Sequence, residues 1–431
     1  MYPRRFLPGT LLLAATATLC AQTTPSFELN RDAYPIYGSM TIVQGDFNRD
    51  GKPDILMGGG SSPDDLTLQL GNGDGTFQAP LTVGLIANGP ADMVAGDLNG
   101  DGKLDVVAIT IVNNPNLYVW YGNGDGTFQP PLEYSTTNSP LSVTVGNFFG
   151  TGRLDIAVGE NSGAIELFQN QGGGNFAPAG KLSLATTSSV TRVRAGDVND
   201  NGSSDIAALI GTAAYVMWND GHGDFHQAEL GPYTAPTDLN VGDLNQDGMA
   251  DIIISYTCNP TLTNNPDKGP QYNPCAGYDV YYGQGNNRIF KRTLVTDPGV
   301  MSGSEPWAID VNGDGVADIG AESTHEGYGG AGLYVWLGHP DGSFDQTPQV
   351  FTATSGGFGG IAPGDWNRDG MMDFAMTLPG DGMTQIFING GNRSSCATSR
   401  INPTITVCQP WTESIRTVWC GSRRMHTTRR P

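Results

Sequence analysis

One short acidic stretch recurs seven times along the chain, and this recurrence constrains the fold more than any other feature. Its first copy is GDFNRDGKPD, from Gly45 to Asp54. Successive copies are separated by 51, 50, 50, 46, 67 and 55 residues. The first oxygen-bearing residues of the seven copies are Asp46, Asp97, Asn147, Asp197, Asp243, Asp310 and Asp365. A period near 50 residues predicts a repeat architecture in which each copy is one supersecondary unit.

Each unit has the same internal order of predicted strands. An apolar strand such as PADMVAGDL precedes the acidic turn, and a second strand such as DVVAIT follows it. A third strand, LYVWYGN, runs into the glycine-rich turn GNGDGTF (Gly122–Phe128), after which a fourth strand begins. The chain holds 61 glycines, well above the usual share of about 7 %, which suits many strands joined by tight turns. Four antiparallel strands per unit, repeated seven times, predict an all-β, seven-bladed β-propeller.

The two ends of the repeat region complement each other. The seventh unit has three predicted strands and lacks a fourth, whereas the segment SFELNRDAYP stands before the first unit. Phe27 precedes Gly45 by 18 residues, much as Phe77 precedes Gly96 by 19. We therefore expect the N-terminal segment to be the outer strand of the seventh blade, which closes the ring and protects its edges. Kelch-type units and a solenoid account less well for these features.

The acidic turns match the ligand requirements of a hard divalent cation. Calcium takes six to eight oxygen ligands from carboxylates, amides, backbone carbonyls and water. The predicted ligands, in which the fourth residue of each set contributes only its carbonyl, are Asp46, Asn48, Asp50, Lys52 and Asp54; Asp97, Asn99, Asp101, Lys103 and Asp105; Asp243, Asn245, Asp247, Met249 and Asp251; Asp310, Asn312, Asp314, Val316 and Asp318; and Asp365, Asn367, Asp369, Met371 and Asp373. In the first turn, Gly51 allows the sharp bend that the ligands need.

Two turns depart from this pattern. The fourth turn offers the side chains of Asp197, Asn199, Asn201 and Asp205, with one carboxylate replaced by an amide. The third turn offers Asn147, Phe149, Thr151 and Asp155, and we expect no ion there. The sequence therefore predicts five to six structural calcium ions with affinities of roughly 10⁻⁴–10⁻³ M.

Alternatives to calcium account less well for the acidic turns. Asp and Asn also form side-chain-to-backbone turns without a metal, but this accounts for one or two such residues per turn, not four. An EF-hand is disfavoured because the flanks are predicted strands and no Glu stands at position twelve. Magnesium is disfavoured by the number of protein ligands on offer.

The two motifs also resemble those of a known family. GDxNxDGxxD, as in Gly96–Asp105, and GNGDGTF are similar to the FG-GAP or VCBS repeats of bacterial secreted proteins, which also form the seven-bladed head of integrin α subunits. The resemblance covers about residues 26–391 and implies a calcium-loaded propeller used for adhesion or ligand binding. The degenerate third turn departs from the family pattern, and nothing resembling the later domains of an integrin follows.

Residues 1–21 are predicted to be a secretory signal peptide. Arg4 and Arg5 supply the positive start, an apolar run follows, and Ala21 is a small residue at a plausible cleavage point. The apolar run is too short to span a bilayer. A lipoprotein would use Cys20, but simple cleavage fits the preceding residues better. We expect a secreted protein located outside the cell or at its surface.

Export permits disulfides. Cys258 and Cys275 bracket one loop insertion and are predicted to pair. The other mature cysteines, whose pairing the sequence leaves open, are Cys396, Cys408 and Cys420. The propeller is predicted to occupy residues 22–391. Residues 392–431 form an arginine-rich tail that we expect to be disordered or a truncated module.

The rim opposite the acidic turns is the predicted ligand surface. The strand order places both turn types on one rim, so the insertions of the fifth and sixth units fall on the other. The candidate ligand-binding residues there are Tyr256, Tyr272, Tyr278, Trp307, His325, Glu326 and Tyr328. Aromatic rings with polar neighbours suit a glycan or protein ligand, although they also pack the layers of a propeller.

Other classes of function find less support. The net charge of −21 argues against nucleic acid as a partner, and no later segment reaches the length of a membrane span. No serine elbow, Walker loop or dinucleotide fingerprint occurs in the sequence. His325 and Glu326 could serve acid–base chemistry, but adjacent strand residues point in opposite directions. We expect a monomeric binding protein without catalysis; a polysaccharide-acting enzyme and a structural spacer are the alternatives.

Overall fold

The computed structural model describes most of the predicted propeller. The described residues are 25–35, 39–59, 65–86, 89–111, 116–183, 187–233, 235–258, 262–265, 269–272, 275–295, 300–302, 306–325, 331–352, 359–378, 383–390, 407–408 and 420–421. The predicted signal peptide and most of the tail lie outside these ranges. Where the structure is described, its regular elements are all β-strands, and it contains no helix with the length and hydropathy to cross a bilayer.

The strands form seven blades, preceded by β1 (Phe27–Pro35). Blade one contains β2 (Ser39–Gly45), β3 (Asp54–Gly59), β4 (Asp65–Gln69) and β5 (Leu81–Leu85). Blade two contains β6 (Asp92–Gly96), β7 (Asp105–Ile109), β8 (Leu117–Trp120) and β9 (Leu132–Tyr134). Blade three contains β10 (Pro140–Gly146), β11 (Asp155–Glu160), β12 (Ala164–Asn170) and β13 (Phe176–Ser183). Blade four contains β14 (Val190–Gly196), β15 (Asp205–Ile210), β16 (Ala213–Asn219) and β17 (Phe225–Pro232).

The last three blades carry additions to this plan. Blade five contains β18 (Pro236–Gly242), β19 (Asp251–Cys258), the inserted hairpin β20 (Leu262–Asn265) and β21 (Gly269–Tyr272), then β22 (Cys275–Gly283) and β23 (Ile289–Val295). Blade six contains β24 (Val300–Ser302), β25 (Trp307–Ile309), β26 (Asp318–His325), β27 (Ala331–Trp336) and β28 (Gln349–Thr352). Blade seven contains β29 (Ile361–Gly364), β30 (Asp373–Leu378) and β31 (Met383–Asn389). The tail contains β32 (Val407–Cys408) and β33 (Cys420–Gly421).

The predicted seven-bladed propeller and its closure by the N-terminal strand are confirmed. Each blade is an antiparallel sheet, and the seventh has the order β1-β31-β30-β29. In this sheet Phe27 pairs with Asn389, and Pro35 pairs with Met383. The first strands of successive blades contact one another around the ring, including β2 with β6, β6 with β10, and β2 with β29. The first strands therefore surround the centre, and the fourth strands form the outer edge.

Three local features differ from a regular propeller. The first strand of blade six is split, since β24 and β25 both pair with β26. The predicted cystine partners Cys258 and Cys275 stand opposite each other across β19 and β22. Their disulfide stays a prediction, because the structure describes only the backbone at these positions. In the tail, β32 pairs with β33 and places Cys408 opposite Cys420.

Among the described residues, the core consists of seven apolar clusters, one at each boundary between adjacent blades. All five residues of β7 (Asp105–Ile109) are buried, because both faces of a blade are covered by its neighbours. The outer strand β5 (Leu81–Leu85) is instead exposed or half-buried throughout. The buried tryptophans on third strands are Trp120, Trp218 and Trp336. Each large buried side chain contributes about 1.5–3 kcal/mol to folding.

Candidate functional site

The acidic turns and the glycine-rich hairpins lie together on one rim, as the strand order predicted. In every blade the acidic turn joins the first strand to the second. The hairpin of blade one donates a hydrogen bond from Gly75 N to Trp366 O in the turn of blade seven, at 3.0 Å. The hairpin of blade two donates from Gly126 N to Phe47 O in the turn of blade one, at 3.2 Å. Hairpin and turn therefore interlock between blades.

The ninth residue of every acidic turn is a buried aspartate that fastens the turn to the end of the third strand. Asp54 Oδ2 accepts a hydrogen bond from Phe47 N at 2.9 Å, and its Oδ1 accepts one from Gly71 N at 2.8 Å. The equivalent residues make the same two backbone contacts in all seven blades. These fully buried residues are Asp54, Asp105, Asp155, Asp205, Asp251, Asp318 and Asp373. We call this arrangement the aspartate clamp.

The clamp carboxylates favour a cation nearby. Burial raises the pKa of Asp54 to about 6, because desolvation outweighs the hydrogen bonds from Gly71 and Phe47, and the charges of Asp50 and Asp46 raise it further. Burial likewise raises the pKa to about 6 for Asp105 and to about 7 for Asp205, Asp251, Asp318 and Asp373. An opposite charge within a few ångströms favours the ionised form of such a group. A cation in the turn would therefore stabilise the ionised form of the clamp carboxylate.

The first and third positions of five turns bring their side-chain oxygens together. In the first turn, Asp46 Oδ1 and Asn48 Oδ1 both accept from Asp50 N, each at 3.0 Å. The same convergence occurs in the second, fifth, sixth and seventh turns. Two residues with positive φ make the backbone bend, Arg49 at 59° and Gly51 at 79°. The sequence pattern indicated the glycine but not the left-handed residue at the fourth position.

The donor chemistry of these five turns fits calcium. Each carboxylate oxygen has two lone pairs, and ligating carboxylates are usually hydrogen-bonded as well, so the backbone contacts do not exclude an ion. The fifth-position carboxylates of the first two turns contact lysine, Asp50 with Lys52 and Asp101 with Lys103, each at 3.0 Å. No cluster of three or more His, Cys, Asp or Glu side chains is already drawn together within the described ranges.

The fourth turn is a weaker candidate than the five regular ones. The amide nitrogen of Asn199 donates to Asp205 Oδ1 at 3.2 Å and to Asn287 Oδ1 at 2.9 Å. The amide nitrogen of Asn201 donates to Asn219 O at 2.7 Å. Asn199 Oδ1 is buried without a hydrogen-bond partner in the part of the chain that is described. An ion bound in this turn would satisfy this oxygen.

The third turn has no convergent carboxylates. Its Asn147 donates from Nδ2 to Gly202 O at 3.3 Å and accepts at Oδ1 from Gly152 N at 3.1 Å. Its one carboxylate is the clamp residue Asp155, whose pKa is raised by burial and lowered in part by Arg153. This turn therefore contains the clamp without the other predicted calcium ligands.

A cavity of about 280 Å³ lies where the first strands meet, and all seven blades contribute to its wall. Blades two to five supply the polar side chains of Asp92, Thr144, Arg194 and Asn240. Blade one supplies both polar and apolar side chains, which include Gln44 and Val43, whereas blades six and seven supply Trp307 and Ala362. The polar side chains of the cavity therefore belong to blades one to five, where they alternate with apolar ones, and blades six and seven form an apolar side.

A network of charged side chains supports the polar side of this cavity. Arg192 contacts Asp238 through Nε and Nη2, each at 2.5 Å, and lies 3.9 Å from Asp92. Asp92 Oδ2 accepts hydrogen bonds from Ser142 Oγ at 2.7 Å and from Arg194 Nη1 at 3.3 Å. Burial alone would raise the pKa of Asp92, but the two arginine charges outweigh it and hold the pKa below its usual value. The network thus pairs both buried aspartates with arginine side chains.

Comparison with known families identifies the repeats. Segments 46–108, 97–158, 147–208 and 324–376 match the FG-GAP-like repeat family and together cover half of the chain. The first three begin at the first residue of an acidic turn. This protein belongs to the FG-GAP-like repeat family. The aspartate clamp occurs in every blade of this FG-GAP propeller, including those outside the matched segments.

Solved structures share the fold of this FG-GAP propeller at low sequence identity. A structure of an Agrocybe aegerita lectin that recognises non-reducing terminal N-acetylglucosamine is 18 % identical, covers 80 % of this chain and 87 % of its own, and has a TM-score of 0.52. Two structures of BBS1N in complex with ARL6DN, soaked with lead and with mercury, are 11 % and 10 % identical, cover 87 % of this chain and 99 % of their own, and have TM-scores of 0.56 and 0.57. No curated protein sequence matches the chain.

The FG-GAP propeller separates the predicted ligand residues from one another. Tyr278 is fully buried, and its ring lies 4.9 Å from that of Trp336. Its prediction as a ligand residue was wrong, because a third strand is covered on both faces. Trp307 is half-buried, donates from Nε1 to Ile361 O at 3.0 Å and lines the central cavity. The backbones of Tyr272 and His325 lie in β21 and β26, whereas Glu326 and Tyr328 lie outside the described residues.

Tyr256 belongs to a polar and aromatic cluster at the boundary between blades four and five. Its ring lies 5.4 Å from that of Tyr233. The buried Asp279 accepts from the Tyr233 hydroxyl at 2.8 Å and contacts Lys291 Nζ at 2.5 Å. Burial alone would lower the pKa of Lys291, but its contact with Asp279 outweighs this and raises it. No motif marked this cluster in the sequence, since its members lie on separate strands.

A pair of glutamates in blade three fastens the link that enters this blade. Glu160 accepts from Asn138 N at 3.0 Å and from Lys181 Nζ at 2.7 Å. Glu166 accepts from Thr137 N at 2.8 Å. Burial alone would raise the pKa of Glu160, but the hydrogen bonds from Lys181 and Asn138 hold it below its usual value. Both carboxylates are thus engaged by the protein itself.

Proposed function

We propose that this FG-GAP propeller is a secreted binding protein that holds structural calcium in its acidic turns and takes an extracellular glycan or protein ligand. The observation that carries the binding role is the central cavity, which is lined by Trp307 together with hydrogen-bonding side chains. Ligand pockets typically combine apolar or aromatic walls with a few polar groups that orient the ligand. The acidic turns lie on one rim and serve to hold the ring together.

The structural neighbours are compatible with this role. One is a lectin that recognises a terminal N-acetylglucosamine, and another is in complex with a protein. We propose binding without catalysis, since five of the buried carboxylates outside the acidic turns accept hydrogen bonds from the protein's own donors. These carboxylates are Asp92, Glu160, Glu166, Asp238 and Asp279. A general acid or base must be within hydrogen-bond reach of the substrate, rather than bonded to the protein's own donors.

Removing calcium is expected to lower the thermal stability of the protein. A ligand at a hundred times its Kd stabilises the folded state by about 2.7 kcal/mol per site, so several weak sites together give a large shift. The unfolding temperature of the purified protein would be measured with calcium, with magnesium and with EGTA. We expect the highest value with calcium.

Variants in two turns provide the control for this measurement. Asp247→Asn replaces a predicted carboxylate ligand in the fifth turn by a neutral amide, which weakens the attraction for the ion and should reduce the calcium-dependent shift. Thr151→Ala lies in the third turn, which lacks the convergent oxygens, and should leave the shift unchanged. Equal unfolding temperatures with calcium and with EGTA would contradict the calcium proposal.

The binding role is tested with soluble polysaccharides. The purified, calcium-loaded protein is immobilised, and both retention of each polysaccharide and release of shortened products are scored. Retention without products is the expected result. Shortened products would overturn the proposal in favour of a polysaccharide-acting enzyme. If no polysaccharide were retained and no products appeared, the glycan ligand would be excluded. A protein partner or a spacer role would then remain.

A further inference from the structure

We propose that the central cavity is itself the glycan site and that it takes one neutral terminal sugar unit. This inference rests on the proposed binding function and assigns it to a particular place. The volume of about 280 Å³ lies near the lower end of the range of about 300–1,000 Å³ for ligand pockets. A single ring therefore fits better than a longer segment of a polysaccharide, which also favours a chain end as the recognised element.

The polar wall offers the donors and acceptors that sugar hydroxyl groups need. Thr144 and Asn240 line the cavity, and both side chains are more than nine-tenths buried. Asn240 accepts at Oδ1 from Val241 N at 2.9 Å, which orients its amide group. Arg194 lines the cavity as well, and its planar guanidinium carries five N–H donors. A hydroxyl, an amide and a guanidinium thus border the cavity on blades three, five and four.

The apolar side chains of the cavity match the C–H groups of a sugar ring, which form an apolar face. Trp307 is held in one orientation by the hydrogen bond from its Nε1 to Ile361 O. Ala362 continues this apolar side on the neighbouring blade seven. Aromatic side chains bind through large apolar area at a low cost in conformational entropy. The cavity therefore combines apolar side chains on blades six and seven with hydrogen-bonding groups on the other blades.

The charge of the cavity favours a neutral ligand over an ionised one. The two arginines of the supporting network, Arg192 and Arg194, are balanced by Asp92 and Asp238. The whole chain has a formal net charge of −21, so its field does not attract anions. The network also fixes the guanidinium groups before binding, and such preorganisation reduces the entropic cost of association. An uncharged sugar is accordingly the preferred class.

The test uses the full, calcium-loaded protein and a panel of neutral methyl glycosides: those of N-acetylglucosamine, galactose, mannose, glucose and fucose. Binding is measured by saturation-transfer NMR and calorimetry. We expect at least one glycoside to bind the wild-type protein. Thr144→Val removes a hydroxyl that can bond the sugar, and Trp307→Leu removes an aromatic face. Each should weaken that binding about tenfold or more, which corresponds to about 1.4 kcal/mol.

Two control variants separate the cavity from the rest of the protein. Thr110→Val makes the same substitution at a buried threonine whose hydroxyl has no hydrogen-bond partner among the described residues, and it should leave binding unchanged. Tyr256→Phe alters the cluster between blades four and five and should also leave it unchanged. A crystal of the wild-type protein soaked with the glycoside that binds should show the sugar ring in the cavity. This measurement does not depend on any variant.

The outcomes distinguish this inference from the broader function. Loss of binding in Tyr256→Phe, with binding retained in Thr144→Val and Trp307→Leu, would overturn the cavity site and leave glycan binding intact. A ring located elsewhere in the soaked crystal would do the same. Failure of all five glycosides to bind the folded wild-type protein would overturn the cavity site, while retention of a polysaccharide would still support the proposed function.

Discussion

Replacing Asp155 by alanine is expected to lower the free energy of unfolding by about 2–6 kcal/mol, because two buried backbone donors lose their acceptor at about 1–3 kcal/mol each. Asp155 Oδ2 accepts from Phe148 N at 3.0 Å, and Oδ1 accepts from Asn170 N at 2.8 Å. These bonds join the acidic turn of blade three to the end of its third strand. Without them the turn loses its attachment to the rest of the blade.

Blade three is the place to measure the clamp because its turn lacks the other predicted calcium ligands. Urea unfolding of the Asp155→Ala variant would be followed by tryptophan fluorescence, once with calcium and once with EGTA. The loss relative to wild type should be the same in both conditions. At Asp318 in blade six, the same substitution should also reduce the stabilisation by calcium. Comparison of the two variants therefore separates the clamp from metal binding.

Milder substitutions in the same turn serve as controls. Asp155→Asn keeps one carbonyl oxygen as an acceptor and should lose less stability than Asp155→Ala. Thr151→Ala changes an exposed side chain and should stay within about 0.5 kcal/mol of wild type, as most surface substitutions do. If Asp155→Ala also stayed within that range, the clamp would not be a significant source of stability.

The repeat pattern predicted the architecture because each unit carries its own strands and turns at a fixed spacing. The missing fourth strand of the last unit likewise predicted closure by the segment around Phe27, and the structure confirms this pairing. The clamp could not be predicted in the same way. Asp54 bonds the backbone of Gly71, which lies 17 residues away. A backbone donor has no signature in the sequence, so an aspartate at the ninth position suggested only a metal ligand.

The central cavity could not be predicted either, because its residues come from different blades. In the charged network beside the cavity, Arg192 and Asp238 are 46 residues apart, and no local motif links them. Their contact depends on how adjacent first strands stagger around the centre. Tyr278 was misplaced for a related reason. Strand alternation tells which residues share a face, but in a propeller both faces of a third strand are buried, and the pattern does not reveal an exposed position.

Removing residues 22–35 is expected to destabilise the whole ring, because the seventh blade loses its outer strand. β1 pairs with β31 from Phe27 opposite Asn389 to Pro35 opposite Met383. The Phe27 ring also contacts Phe351 of blade six at 4.7 Å and Phe374 of blade seven at 5.7 Å. The deletion would expose an unpaired strand edge, which promotes association between molecules. A lower unfolding temperature and the appearance of oligomers by size-exclusion chromatography should result.

A point variant and a peptide identify which contacts matter. Phe27→Ala should cost about 2 kcal/mol, less than the 3–5 kcal/mol typical of a fully buried phenylalanine, because this ring is half-buried. A synthetic peptide of residues 25–36 should restore the stability of the truncated protein by adding a strand to the open edge. The matched controls are a scrambled peptide and the same peptide with Phe27→Ala.

The comparison of these peptides decides how the ring is closed. Restoration by the native sequence alone would mean that strand pairing and the Phe27 contacts close the propeller without covalent connection to blade one. An equal effect of the scrambled peptide would mean that any extended chain can occupy the edge. If the truncated protein kept the unfolding temperature of the full chain, three strands would suffice for blade seven. The terminal strand would then contribute pairing without stability, contrary to what its contacts with two blades predict.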